Sequence, residues 1–269
     1  MQSRPWQLEM FRKGLKKNLR LKALQRQLLH LESNTRCLLV TCGDNNGAMN
    51  YFLRECGGNW HWADLEGQCI PEMTRLLGDP VHLVQAETLP FAADHFDVVV
   101  CIDVHEHLDD PEPITREIHR VTSPAGRIII TVPNGDESKL AVRVKHALNM
   151  TKEAYGHARV GLTIEELDTL MSSCNIATDF VETYSRFFTE VLELTINFFY
   201  VKVLGKSDAA GAEEGEIAPA TEEKLEAVST SYRIYSIIYP VYWLLSKLDV
   251  LLTHTEGYCV LIAGSKANE

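Results

Sequence analysis

The feature that most constrains this chain is a change of rhythm at about residue 36. From there short apolar runs alternate with helical stretches: Cys37–Thr41 before a helix through Ala48–Arg54, and Trp60–Asp64 before Ile70–Leu77. Val81–Gln85 and Phe96–Ile102 follow, then a helix over Ile114–Val121 stopped by Ser123-Pro124-Ala125-Gly126, then Arg127–Val132. Short apolar runs bounded by turn residues and separated by amphipathic stretches read as buried strands joined by crossover helices. That alternation requires a mostly parallel sheet with right-handed connections. Further on, Thr163–Cys174 reads as a helix with Thr163 as N-cap and Glu166 at the capping-box position. Thr178–Tyr184 and Tyr258–Ala263 supply a sixth and a last strand, the sixth expected parallel to its neighbours. The expected fold is α/β: a doubly wound, mostly parallel seven-stranded sheet with helical additions.

The additions lie at both sides of that core. Residues 1–34 read as one basic amphipathic helix over 6–31, with eight Lys and Arg before residue 27 against the single acid Glu9. Its apolar positions suit either a helix packed on the domain or one that touches a membrane surface. Residues 187–253 form an insertion of two apolar segments, Phe187–Leu204 and Ile234–Leu252, joined by an acidic linker. Glu190, Glu193, Lys247 and Asp249 interrupt them, so neither is expected to span a bilayer. A helical lid or an interfacial pair both remain open. The remaining residues, 35–186 and 254–269, make up the α/β domain. The formal net charge of −11 argues against a nucleic-acid partner. The seven cysteines include no CxxC pair, which fits a reducing, cytoplasmic setting.

Five segments in unbroken order carry a resemblance. Cys37-Leu-Leu-Val-Thr-Cys-Gly-Asp-Asn-Asn-Gly47 is a strand ending in a Gly-bearing turn, and Trp62-Ala-Asp-Leu-Glu66 closes the second strand on an acid. Val84-Gln-Ala-Glu-Thr-Leu-Pro-Phe91 follows, then Phe96-Asp-Val-Val-Val-Cys-Ile-Asp-Val-His-Glu-His-Leu108, then Pro124 through Asn134. Over residues 36–135 the chain resembles class I S-adenosylmethionine-dependent methyltransferases of the type 11 and ubiquinone-pathway branch, with their Rossmann-like fold. The resemblance implies S-adenosylmethionine as cofactor. Its contacts would come from Cys42, Gly43, Gly47, Asp64, Leu65, Gln85, Ala86, Asp103 and His107, with Asp64 accepting from the ribose hydroxyls and Glu66 as its understudy. Three positions depart from the family: Leu39, Thr41 and Asn45 stand where an acid and two glycines are usual. A degenerate scaffold that has lost turnover is the alternative those departures suggest.

Methyl transfer from a sulfonium needs alignment more than covalent help, because the methyl carbon is already activated. A base is needed only if the acceptor must lose a proton. His107, His157 and Glu106 are the candidates. Asp103, Glu106 and His107 would share a face on a helical turn, yet no metal is expected there, and His105 is expected on the solvent or substrate side. The expected partner is a small-molecule or lipid-like methyl acceptor, with a membrane surface as a further partner and a cytoplasmic, peripheral location.

Overall fold

The computed structural model describes residues 5–43, 45–148, 157–198 and 222–267. Seven strands form one sheet: β1 (Arg36–Thr41), β2 (Asn59–Asp64), β3 (Val81–Leu83), β4 (Phe96–Ile102), β5 (Thr122–Pro133), β6 (Ile176–Tyr184) and β7 (Cys259–Lys266). Their spatial order is β3-β2-β1-β4-β5-β7-β6, parallel except for β7, which runs antiparallel to both β5 and β6. The central strands are apolar on both faces because helices cover both faces. Leu39, Val98, Val100 and Ile129 point into one layer, and Leu38, Val40, Val99, Ile128 and Ile130 into the other.

Helices α3 (Ala48–Arg54), α4 (Ile70–Leu77), α5 (Glu112–Val121) and α7 (Ile164–Ser173) make the crossovers. Thr163 caps α7 with the expected capping box to Glu166. Three expectations are corrected. The helix expected over 6–31 is two helices, α1 (Trp6–Phe11) and α2 (Leu15–Gln27), because Gly14 leaves helical backbone and becomes the N-cap of α2. Asn18 holds the turn by donating to the carbonyls of Phe11 and Gly14 at 2.9 and 2.6 Å. The stretch Ser123–Gly126, expected to precede the strand, lies within β5, with Ala125 at φ 58° and a register shift between Phe96 and Val98. Finally, β6 pairs only with the reversed β7, so it is antiparallel to its neighbour while still pointing the same way as β5.

That last correction preserves the topological consequence. The chain leaves β5 and β6, and enters β7, at the carboxyl edge of the parallel strands. Helices α6 (Leu140–Ala147), α8 (Phe187–Phe198) and α9 (Glu222–Ser246), with the 3-10 turn Lys247–Leu252, therefore gather at that edge. Residues 199–221, the end of the first apolar segment and most of the acidic linker, lie outside the described residues, while residues 222–233 of the linker are helical and belong to α9. Tyr232–Leu252 is one helical stretch of 21 residues that is long and apolar enough to cross a membrane by length and composition alone, its hydropathy reaching 1.2.

The N-terminal helices pack onto the domain: Leu8, Phe11, Leu21 and Leu24 share the layer of Leu39, Trp62 and Val100. Polar contacts then lock the additions together. Asp249 accepts from the Arg186 and Phe188 amides, both at 2.9 Å, and so caps α8. Glu193 on α8 accepts from the Lys16 amide at 3.2 Å in the first turn of α2. Glu190, 1% exposed, receives Lys16 at 3.1 Å, Lys145 at 3.6 Å and the Ser185 hydroxyl at 2.6 Å. Burial alone would raise its carboxyl, but the two ammonium groups and the hydroxyl overturn that and hold it at about 2. A depressed folded-state pKa contributes stability above the ordinary carboxylate range, lost as pH falls toward about 2. Glu190→Gln should therefore cost about 3 kcal/mol at neutral pH. It should also flatten the acid limb of a urea-denaturation series taken downward from pH 5.

Candidate active site

At the carboxyl edge the chain turns sharply between β1 and α3. Gly43 takes φ 66° and Gly47 takes φ 87°, a left-handed region that glycine enters without penalty. The two glycines serve different ends. A Cβ on Gly43 would lie 2.7 Å from the Glu66 carboxyl carbon, so its bareness lets that acid sit over the turn. A Cβ on Gly47 would meet the Met73 backbone at 3.2 Å, so Gly47 sets the approach of α3 to α4.

The residues that stand where glycines are usual form a network of their own. Thr41 donates its hydroxyl to Asp64 at 2.6 Å. Asp64 also accepts from the amides of Gly43 at 3.0 Å and Glu66 at 2.8 Å, and it is fully buried. Asn45 accepts from the Gly47 amide at 3.0 Å and donates to Asn50 at 2.6 Å. The turn closes through side chains that bond across it. Asp64 thus staples the turn to the end of β2, while Glu66, only half-buried, stands nearer the surface. A charged acceptor with three donors aimed at it is a strong local anchor.

A cleft opens beside this turn, lined by Phe11, Lys17, Arg20, Thr41, Asn45, Asn46, Met49 and Ile102. Three of these come from α1 and α2, so the N-terminal helices roof it. Arg20 is 8% exposed, forms an ion pair with Asp103 at the end of β4, and donates to the Tyr184 hydroxyl at 3.1 Å. Burial works against its charge, yet the Asp103 carboxylate outweighs that cost and keeps the guanidinium firmly protonated. Burial likewise pushes the Tyr184 hydroxyl up, so it stays neutral. Sequence reasoning passed over Arg20 and Lys17. The available signal was that Arg20 shares a helical face with Ala23 and Leu24, an inward position for a charged residue.

Past β4, residues His105–His107 form a 3-10 turn. His105 is not solvent-facing: it is fully buried, 3.0 Å from the Thr115 hydroxyl and 3.8 Å from Cys101 Sγ. Burial, aided by Arg159, lowers its pKa to about 4, so it stays neutral. Glu106 is 1% exposed, with its backbone carbonyl accepting from the Ala158 and Arg159 amides. His107 is half-buried and meets His157 edge-on, ring centroids 4.5 Å apart. Of the three base candidates, the two imidazoles are thus brought together and Glu106 is directed into the fold. The Asp103, Glu106 and His107 group does not converge either. Among the described residues the side chains near enough to share an ion are Cys42, Glu66 and His107, within 4.8 Å of one another. Gln85 and Ala86 lie in an exposed turn beyond β3, with Ala86 at φ 48°; Leu65 is half-buried after Asp64.

Residues 38–130 match the model of a family described as a methyltransferase domain. This segment is a methyltransferase domain. A ubiquinone biosynthesis O-methyltransferase of Proteus mirabilis is 27% identical over 151 residues, 52% of this chain and 60% of that protein. The chain therefore spans less than two thirds of that relative. Among solved structures, phosphoethanolamine N-methyltransferase 2 of Haemonchus contortus, in complex with S-adenosyl-L-methionine, aligns at TM-score 0.54. The identity is 15%, over 93% of this chain and 52% of that one. The [4+2]-cyclase SpnF aligns at TM-score 0.56 and 16% identity, over 93% of this chain and 81% of that one. Likenesses this distant establish the fold of the methyltransferase domain and its helical surroundings, not the reaction.

The Asp64 staple makes a prediction independent of any ligand. Asp64→Ala leaves the Thr41 hydroxyl and two amides without their shared acceptor, and should destabilise the fold by about 2 kcal/mol or more, read as a lower urea midpoint.

Proposed function

We propose that this chain is an S-adenosylmethionine-dependent methyltransferase acting on a small-molecule acceptor. The observation that carries the reading is the bare Gly43 turn beneath Glu66, beside a cleft with two cations, Lys17 and Arg20, in its lining. A zwitterionic cofactor with an apolar adenine and a polar diol suits that mixture of lining groups. In this reading 35–186 with 254–269 is the methyltransferase domain, 1–34 the N-terminal part whose helices roof the cleft and 187–253 an apolar helical insertion at the same sheet edge.

The residues present fit the cofactor. Glu66 offers a carboxylate with two acceptor oxygens and no donor, suited to a ribose diol. Asp64 supports it from behind by holding the Gly43 and Glu66 amides in place. Arg20 and Lys17 supply positive charge for the methionine carboxylate, and Gly43 lets the backbone approach closely. Cys42, Leu65, Gln85, Ala86 and Asp103 complete our proposed contact set, with Gly47 acting through the packing of α3. When bound, the cofactor supplies an activated methyl group on a sulfonium. The protein's part is to align the acceptor and exclude water. Should the acceptor be a hydroxyl, the paired His107 and His157 are placed to take its proton, because both are half-buried at the mouth of the turn. An ion held by Cys42, Glu66 and His107 would compete for the same acid, so we assign these side chains to the cofactor site.

We also read the acceptor as apolar and lipid-linked, and the protein as cytoplasmic and peripheral to the membrane that holds it. The apolar helices α8 and α9 stand at the same sheet edge as the crevice and favour such an acceptor. Binding of S-adenosylhomocysteine should be detectable by calorimetry. Glu66→Gln and Lys17→Ala should each weaken it by about tenfold, the scale of one charge-assisted hydrogen bond. Absence of binding by the wild-type chain would sink the assignment.

A further inference from the structure

Helix α9 is built inside out. Its positions facing the protein are Tyr232, Tyr235, Ser236, Tyr239, Tyr242 and Ser246, buried or half-buried at the three-four spacing of one helical face. The opposite face carries Ile234, Ile237, Ile238, Val241, Leu244 and Leu248, all exposed; Ile237 is 79% exposed and Leu244 63%. A surface helix in water has the reverse arrangement, with its apolar stripe toward the core. Only 6% of the Tyr232–Leu252 segment is buried. A single exposed leucine means nothing, but a continuous aliphatic stripe of this kind marks a surface that meets an apolar medium or a partner.

The inward stripe is held by specific bonds. The Tyr235 hydroxyl donates to the Lys13 carbonyl, and the Tyr239 hydroxyl to the Arg12 carbonyl at 3.0 Å. At the far end Asp249 caps α8, and the Arg186 guanidinium donates to the Leu252 carbonyl at 2.8 Å. The helix is thus tied at Tyr235 and Tyr239 to the turn between α1 and α2, and the 3-10 turn that follows it is tied to the start of α8. Crossing a bilayer would break those contacts; lying in the interface keeps all of them.

Charge selects the occupant. Although the whole chain is at −11, the borders of this stripe are cationic. Arg233 is exposed on the helix itself and Lys247 at the start of the 3-10 turn, where it stands 4.6 Å over the ring of the exposed Trp243. Lys13, 5.1 Å over the Tyr232 ring, extends the cationic border onto the N-terminal helices. An aliphatic stripe edged by Trp, Tyr, Lys and Arg matches the layered chemistry of an anionic bilayer surface. Two copies of the chain meeting on this face would instead bring like charges together.

We propose that the outer face of α9 and the following 3-10 turn is an in-plane docking surface for an anionic lipid bilayer. For its purpose this rests on the membrane-held acceptor proposed above, but not for its geometry. The full-length protein should co-sediment with phosphatidylcholine–phosphatidylglycerol vesicles. Ile237→Glu combined with Val241→Glu should reduce the sedimented fraction by about tenfold or more, since it places two charges in the apolar stripe. Both side chains face solvent, so the variant should keep its circular dichroism and its affinity for S-adenosylhomocysteine. Retained cofactor affinity separates a failure of docking from a failure of the methyltransferase reading. Undiminished sedimentation of the double variant, or none by the wild type, would overturn the proposal. So would a wild-type dimer in light scattering that the double variant converts to monomer without any vesicle binding, for the face would then be a self-interface.

Discussion

The buried ion pair between Arg20 and Asp103 is the contact on which the arrangement around the crevice depends. It joins three parts distant in sequence: the N-terminal helices, the end of β4 and, through the Tyr184 hydroxyl, the end of β6. Breaking a pair of this kind from one side leaves an unpartnered charge in a medium that solvates it poorly. The pair therefore specifies where α2 must sit more than it adds to net stability. With α2 fixed, Lys16 meets Glu190 and Glu193, and α8 falls into register above the sheet. The roof follows from one guanidinium.

The Gly-bearing turn shows how a motif can drift without losing its shape. Thr41 and Asn45 bring side chains into a place where glycines are usual, and both are absorbed by hydrogen bonds within the turn. The carboxylate of Asp64 is what makes this work, because it accepts from both sides of the turn at once. Glu66 is left nearer the surface, with the bare Gly43 beneath it.

Much of the fold could be read from residue order alone. Apolar runs such as Val98–Ile102 and Ile128–Val132 are buried on both faces, so they carry a strong, unbroken signal. The break at Gly14 was masked because the apolar spacing continues across it, and the turn depends on Asn18, a contact that periodicity does not encode. The direction of β7 was hidden for a similar reason: a doubly buried strand looks the same running either way. At the site, the left-handed turn at Gly43 was legible from the motif, whereas the meeting of His107 with His157 was not, because the two are fifty residues apart in sequence. The hydrogen bonds that tie Asp64 to the turn were not legible either, since they depend on which oxygen meets which amide. Arg20 was missed because a basic helix reads as a solvated surface until its partner at the end of β4 is known.

The reversed β7 has a consequence for how such a chain can change. Because β6 and β7 form a hairpin, the excursion between them leaves and returns at one point. Arg186 donates to the Leu252 carbonyl there, and the Tyr258 amide to the Ser185 carbonyl at 2.7 Å. The entropy of closing a loop grows only logarithmically with its length, so a hairpin already clasped at its base tolerates segments of very different size. The excursion is in effect a cassette on a fixed socket. It can be lengthened, shortened or exchanged without disturbing the order of the sheet, and one α/β core can thereby acquire different surroundings.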